Sequence, residues 1–125
     1  MSEREGIERI NPPGAPAPRG PYSPAVRAGD FIFVSGQVPT DLGDVTHETR
    51  QVLNNLKRVL EGCGASLSDV VKCSVFLADG NDFAAMNAVY AEFFGEAKPA
   101  RSTVVTGFAL PSIRVEIEAI AYKPR

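Results

Sequence analysis

The chain has one histidine, His47, and two cysteines, Cys63 and Cys73, in 125 residues. A single imidazole with no Ser or Cys motif beside it argues against a Ser-His-Asp or Cys-His triad, and with no second histidine against a classical zinc centre. His47 is read as a solvated residue in the first turn of a helix. Two cysteines are too few for a disulfide framework and lack the paired spacing of a zinc site. Cys63 follows a helix end and Cys73 falls in an apolar strand, so both are read as thiols, at least one of them in the core. No segment approaches the length of a membrane span, and Met1 to Gly6 alternates in charge without an apolar run; no membrane partner is expected, and a cytoplasmic location is. Basic residues nowhere form a dense run, and 13 Lys and Arg against 15 Asp and Glu leave a net charge of −2. That balance argues against a dedicated nucleic-acid binder.

What is present is the composition of a globular protein, 44% apolar and 22% charged, of a length that suits one domain over residues 1–125. Residues 1–19 read as a lead-in, extended through the proline-rich run Pro12-Pro13-Gly14-Ala15-Pro16-Ala17-Pro18. After the turn Gly20-Pro21-Tyr22-Ser23-Pro24, Ala25 to Ala28 and Phe31 to Gln37 are predicted strands joined at Gly29-Asp30. Asp44 is a predicted N-cap, and Val45, Val52, Leu53, Leu56, Val59 and Leu60 recur at helical spacing up to Glu61, with Gly62 and Gly64 as the stop. Val70 to Leu77 is a predicted strand whose odd positions, Val71, Cys73, Val75 and Leu77, form one apolar face. Gly80-Asn81-Asp82 is predicted to cap a second helix. Its core stripe is Phe83, Met86, Val89, Tyr90, Phe93 and Phe94, its stop is Gly95, and Asn87 is the polar residue beside the stripe.

The next stretch, Lys98-Pro99-Ala100-Arg101-Ser102-Thr103-Val104-Val105, places an arginine at a strand entrance. Pro99 cannot continue the helix and biases Lys98 toward extended backbone, and the β-branched run favours a strand. A guanidinium there is a permanent planar fork for a carboxylate or phosphate, or else an edge-strand residue paired with a surface acid. The last predicted strand, Arg114 to Ala121, puts Val115, Ile117, Ala119 and Ala121 on one face and Glu116, Glu118 and Ile120 on the other. Two helices against five or more strands can cover one face only. Ile32, Val34, Phe76 and Ile120 also demand burial, so the open face is expected to meet another copy of the chain.

Taken together, Gly20-Pro21-Tyr22-Ser23, Val34-Ser35-Gly36-Gln37, Thr49 to Leu56, Val70 to Leu77, Asp82-Phe83, Asn87 to Tyr90, Pro99-Ala100-Arg101-Ser102 and Val115 to Ala121 resemble the RidA/YjgF reactive intermediate deaminase family. Some of its members were formerly called translation inhibitors or L-PSP endoribonucleases. The resemblance implies a chorismate-mutase-like α+β fold, a mixed β-sheet with two helices on one face, and a homotrimer with clefts between subunits. It implies a hydrolase acting on imine C=N bonds, converting 2-aminoacrylate-type enamines and 2-imino acids to 2-oxo acids and ammonia, without metal or organic cofactor. By the same resemblance Arg101 binds the substrate carboxylate, Glu116 attends the catalytic water, and Tyr22, Ser35, Gly36, Asn87 and Thr103 line the cleft. Two stretches depart from the family pattern, the short Thr40 to Asp44 link and Val105 to Leu110.

Elementary chemistry agrees with that assignment. A protonated imine is already electrophilic, so an enzyme has only to fix the carboxylate, deliver water and stabilise developing charge. Arg101 suits the first task and a carboxylate the second. Strand geometry leaves Glu116 and Glu118 equivalent, and only the motif singles out Glu116. The alternatives are a non-catalytic trimer that binds small carboxylates or a protein, and a ribonuclease or translation inhibitor, which the acidic balance and lone histidine support poorly.

Overall fold

The computed structural model describes residues 4–125. One mixed sheet of six strands runs β1 (Ile7–Ile10), β2 (Ala25–Ala28), β3 (Phe31–Gln37), β6 (Val115–Tyr122), β4 (Val70–Leu77), β5 (Ala100–Val105) across its width. Only the β4–β5 pair is parallel; the others are antiparallel. Helices α1 (Val45–Gly62) and α2 (Phe83–Phe94) pack together on one face. The expected α+β architecture is therefore present.

Asp44 caps α1 by accepting the His47 N–H at 2.9 Å, satisfying one of the donors a helix N-terminus leaves unpaired. The apolar stripe Val52, Leu53, Leu56, Val59 and Leu60 is fully buried against Ile32, Val75, Ile117 and Ala121 in one core. Each such side chain contributes about 1.5–3 kcal/mol by leaving water. At the helix end Gly62 lies under Pro12: a Cβ there would stand 3.0 Å from the proline Cγ and closer to its Cβ. The bare glycine lets the proline-rich lead-in dock on the helix, and Pro12 is accordingly buried.

Several local expectations are corrected. The lead-in is not extended coil throughout, because Ile7–Ile10 forms an edge strand on β2; of residues 1–19, the first three lie outside the described residues. Val71 is exposed and Val70 buried, because a register irregularity between Val70 and Lys72 rotates the start of β4 by one position. A bulge of this kind moves a side chain to the opposite face. Ile32 and Val34 are on the helix-covered face, at 0% and 3% exposure, and Phe31 and Phe33 take the open one. The capping turn before α2 is a 3-10 turn, Gly80–Asp82, with Asp79 as its capping side chain. Asp82 makes no cap bond to α2 and instead faces the Arg114 guanidinium at 3.4 Å. Phe83 is exposed and Phe93 half-buried, so neither is a fully buried core residue, although Phe93 packs against the core. Lys98 has φ 39 and ψ 63, a left-handed conformation where an extended one was expected. It reverses the chain within two residues between the short 3-10 turn Gly95–Ala97 and β5.

The open face carries Phe31, Phe33, Val104 and Tyr122, each 41–48% exposed. The Phe31 and Tyr122 rings are in tilted contact, 5.3 Å between centroids. On the same face, where the end of β3 meets the start of β6, sits the polar groove described next.

Candidate functional site

Four of the seven residues singled out in the sequence converge on one groove of ≈ 460 Å³ lined by Tyr22, Ser35, Gly36 and Glu116, with Arg19, Glu118 and Leu110 among its other walls. The convergence begins with a bulge. Val34 pairs with Ala119 and Gln37 with Ile117, so Ser35 and Gly36 together oppose the one residue between, Glu118. Gln37 returns to the buried face and ties off the bulge with an Nε2–H donated to the Ser35 carbonyl at 3.0 Å. The Ser35 hydroxyl donates to the Ser23 carbonyl at 2.7 Å and its N–H to that of Pro24 at 3.0 Å. These bonds hold the Gly20–Pro24 turn, and Tyr22 with it, over the groove. The Tyr22 hydroxyl accepts the Arg19 N–H at 3.1 Å.

Glycine at position 36 has a direct physical cause. A Cβ there would lie 2.9 Å from Glu116 Cδ and closer to Oε2, so the carboxylate rests on bare backbone. Glu116 is half-buried. Burial first, and the neighbouring Glu118 second, raise its pKa above the ordinary carboxylate value. Because the colliding atoms belong to the end of a flexible side chain, Gly36→Ala is expected to displace the carboxylate and spare the fold. Under the catalytic role proposed below for Glu116, the expected result is an activity loss of about 10-fold or more, the range of a misplaced acid–base group, with a thermal midpoint within a few degrees of wild type. A thermal melt alongside a rate assay checks both halves.

The other three residues lie elsewhere. Arg101 and Thr103 on β5 pair with Cys73 and Val75 of β4, both buried on the helix-covered face, so their side chains project beneath α2. There the Arg101 guanidinium meets Met86 Sδ at 4.0 Å, the Tyr90 ring centroid at 4.8 Å and the Phe83 ring centroid at 5.7 Å. Asn87 stands on the same helix face, four residues after Phe83 and three before Tyr90. Among the described residues no carboxylate lies within ion-pair distance of Arg101, so the edge-strand salt bridge is absent. Glu116 pairs with Phe76 on the opposite face. Within one chain Arg101 and Glu116 therefore lie on opposite faces of the sheet.

Beneath Arg101, Tyr90 Oη and Thr103 Oγ1 are sealed from solvent without a hydrogen bond. The Cys73 thiol beside the Tyr90 hydroxyl is too weak a partner to satisfy it. Burial raises the Tyr90 pKa, with Cys73 adding to the effect. Burial likewise raises that of Cys73, opposed by Tyr90, Arg101 and Lys72. Neither group is prepared to ionise. Cys63, half-buried at the end of α1, is also raised by burial and is no activated thiol. His47 is exposed and within 3.1 Å of Asp41, outside both the Glu116 groove and the surroundings of Arg101. No group of three or more His, Cys, Asp and Glu side chains able to hold a metal occurs among the described residues, and no helix there is long and apolar enough to cross a membrane.

Sequence reasoning missed Glu48. It is fully buried and its carboxylate accepts the N–H groups of Gly43 at 3.1 Å and Arg114 at 2.7 Å. It thereby ties the short 40–44 link, one of the two stretches that depart from the family pattern, to Arg114 at the start of β6. Its place in the first turn of α1 was the available signal, since an acid there answers the helix dipole.

An α+β domain with two helices on one sheet face and a carboxylate-bearing groove on the other is the class that fold and site define. The chain matches the family model described as Endoribonuclease L-PSP over residues 13–123, and it belongs to this family, that of the RutC and YjgF proteins. A RutC family protein of Pyrococcus horikoshii is 53% identical over 116 residues, covering 87% of this chain and 92% of the relative. The 3-aminoacrylate deaminase RutC of Acinetobacter baylyi is 41% identical, covering 92% and 97%. A 2-iminobutanoate/2-iminopropanoate deaminase of Dermatophagoides farinae is 43% identical, covering 89% and 92%. Among solved structures, the Escherichia coli YjgF gene product superposes with a TM-score of 0.86 at 40% identity, covering 92% and 98%. E. coli TdcF with bound serine gives 0.87 at 37%, covering 93% and 98%.

Proposed function

We propose that this protein is a deaminase that hydrolyses 2-imino acids and their enamine tautomers to 2-oxo acids and ammonia, at clefts formed between subunits of a homotrimer. The single observation that carries the reading is that Arg101 is half-buried with no carboxylate within ion-pair distance among the described residues. A guanidinium taken partly out of water without a counter-ion is costly unless a ligand supplies one, and the 2-imino acid carboxylate fits its planar fork. Two relatives named as deaminases and a relative crystallised with serine support a small substrate of that kind.

Each half-site lacks what the other has. Tyr22, Ser35, Gly36 and Glu116 form an open groove that has a base and, in Arg19, a cation at its wall but not Arg101; Arg101, Thr103 and Asn87 form an anchor with no base. The exposed apolar residues of the open face are suited to bringing a second chain's β5 edge against the groove. In such a cleft the substrate carboxylate docks on Arg101 and C2 of the protonated imine is presented to water. Glu116 accepts a proton as water adds to C2, giving a 2-amino-2-hydroxy acid. It returns that proton to nitrogen, then takes the hydroxyl proton as the C–N bond breaks, so that the 2-oxo acid forms and ammonia leaves and collects that proton as ammonium.

The test adds purified protein to a serine or threonine dehydratase reaction and follows ammonia and 2-oxo acid. Acceleration over buffer is expected, and its absence where intermediates accumulate overturns the reading. Glu116→Gln is expected to lower kcat about 10²-fold, the usual contribution of a positioned base. Since the raised Glu116 pKa means that its proton is retained to higher pH than in an exposed glutamate, wild-type kcat/KM should fall on the acid side with a midpoint above 4.5. The Gln variant should lack that limb, and an unchanged profile would refute the role. Carboxylate binding with no turnover in wild type would instead favour the non-catalytic module, the reading to which the serine-bound relative lends weight.

A further inference from the structure

Resting on the carboxylate-anchor reading of Arg101, we propose that Tyr90 and Phe83 are positioning residues that form an aromatic clamp, holding the guanidinium by its faces so that its N–H edges stay free for the substrate. A substrate-binding arginine must be held in one rotamer, yet the commonest holder, a carboxylate, occupies the same N–H groups and cancels the charge the substrate requires. Ring faces avoid that conflict, because the negative π-face attracts the cation while leaving its in-plane donors open.

The surroundings of Arg101 have that composition. Its Cζ lies 4.8 Å from the Tyr90 ring centroid and 5.7 Å from that of Phe83, both within cation–π range. Among the described residues its side-chain hydrogen-bond partner is the Met86 thioether at 4.0 Å, a weak acceptor that takes little from the guanidinium. Tyr90 is fixed in turn by Phe94, with ring centroids 4.6 Å apart, and by burial of all but 8% of its surface. Phe83 is the more informative partner. Within one chain it is 48% exposed in the first turn of α2, so the neighbour its ring meets there is the Arg101 guanidinium. Its aromatic character is accounted for by the cation it faces. Among the described residues the Tyr90 hydroxyl has no partner stronger than the Cys73 thiol, so the ring rather than the phenol is what position 90 supplies.

Fluorine substitution separates this role from packing, since it drains the π-face while nearly preserving ring shape. Position 90 is filled in the full-length protein with phenylalanine and its 4-fluoro, 3,5-difluoro and 3,4,5-trifluoro analogues, and 2-oxobutanoate binding is titrated by NMR together with steady-state KM and kcat. Tyr90→Phe is expected to bind within about 3-fold of wild type. Affinity should then fall stepwise to about 10-fold weaker for the trifluoro ring, with KM following and kcat nearly constant, the signature of a ground-state anchor. Phe83→Leu should weaken binding several-fold and Phe83→Tyr restore it, with thermal midpoints unchanged. A flat fluorine series, or Phe83→Leu binding as wild type, overturns the clamp while leaving Arg101 as anchor. If 2-oxobutanoate binds wild type and Arg101→Ala equally, the anchor reading itself fails, and the clamp with it.

Discussion

Arg101→Ala is expected to lower kcat/KM for 2-imino acid hydrolysis by about 10³-fold, chiefly through KM, with little change in thermal stability. Both halves of that result follow from the surroundings of the side chain. Removing one partner of a desolvated, hydrogen-bonded charge pair costs about 2–5 kcal/mol, and here the other partner is the substrate. The carboxylate is bound in ground and transition states alike, so most of the loss falls on KM. Stability is spared because among the described residues Arg101 forms no ion pair and contributes only its contacts with Tyr90, Phe83 and Met86. Arg101→Lys should recover part of the loss and no more, since an ammonium keeps the charge but not the bidentate fork. Kinetics on imines generated from serine and from threonine, with a thermal melt of each variant, check the prediction. Wild-type KM in the alanine variant would return Arg101 to the status of an ordinary strand residue.

How much of this was legible beforehand depended on whether period or pairing carried the information. The strand Phe31 to Gln37 and the helix after Asp44 stand where alternation and 3.6-residue spacing put them, because each buries one clear apolar face. Ile7-Glu8-Arg9-Ile10 shows no such signal: four residues with two charges in the middle pair with β2 as an edge, and edge strands need little apolar pattern. Val71 misled because alternation assumes unbroken register, and the irregularity at the start of β4 is a property of the β4–β6 pair rather than of either segment. The site divided in the same way. Glu116 over Gly36 was foreshadowed by a glycine inside a strand, the mark of a close approach. That Arg101 and Glu116 occupy opposite faces was not legible. β5 is an edge strand whose two faces, Arg101-Thr103-Val105 and Ser102-Val104, are both mixed in character, so only its pairing with Cys73 and Val75 says which turns toward the helices. The clamp was hidden by the same ambiguity, since aromatics at helical spacing read as core until a cation is placed against them.

The division of the half-sites yields the most discriminating expectation: two inactive variants, when mixed, should regain activity. Arg101→Ala keeps the Glu116 groove intact, and Glu116→Gln keeps the Arg101 anchor intact. If each cleft takes its anchor from one chain and its base from the next, subunit exchange at equal proportions leaves about a quarter of the clefts with both native residues, whichever way a ring of three is populated. Activity should therefore rise from near zero to about one quarter of wild type per cleft. If both residues served the same cleft from one chain, every cleft in the mixture would lack one of them and no activity would return. The converse mixture gives an independent check. Wild type combined with the Arg101→Ala/Glu116→Gln double variant starts at about half activity and should fall to about a quarter as chains exchange, whereas self-contained sites would hold at half. The exchange can be started by mild denaturant and dilution and followed by mass spectrometry of tagged chains. The opposite orientations of Arg101, beneath α2, and Glu116, paired to Phe76 on the open face, make recovery the expected outcome of the proposed shared cleft, since within one chain the sheet lies between them.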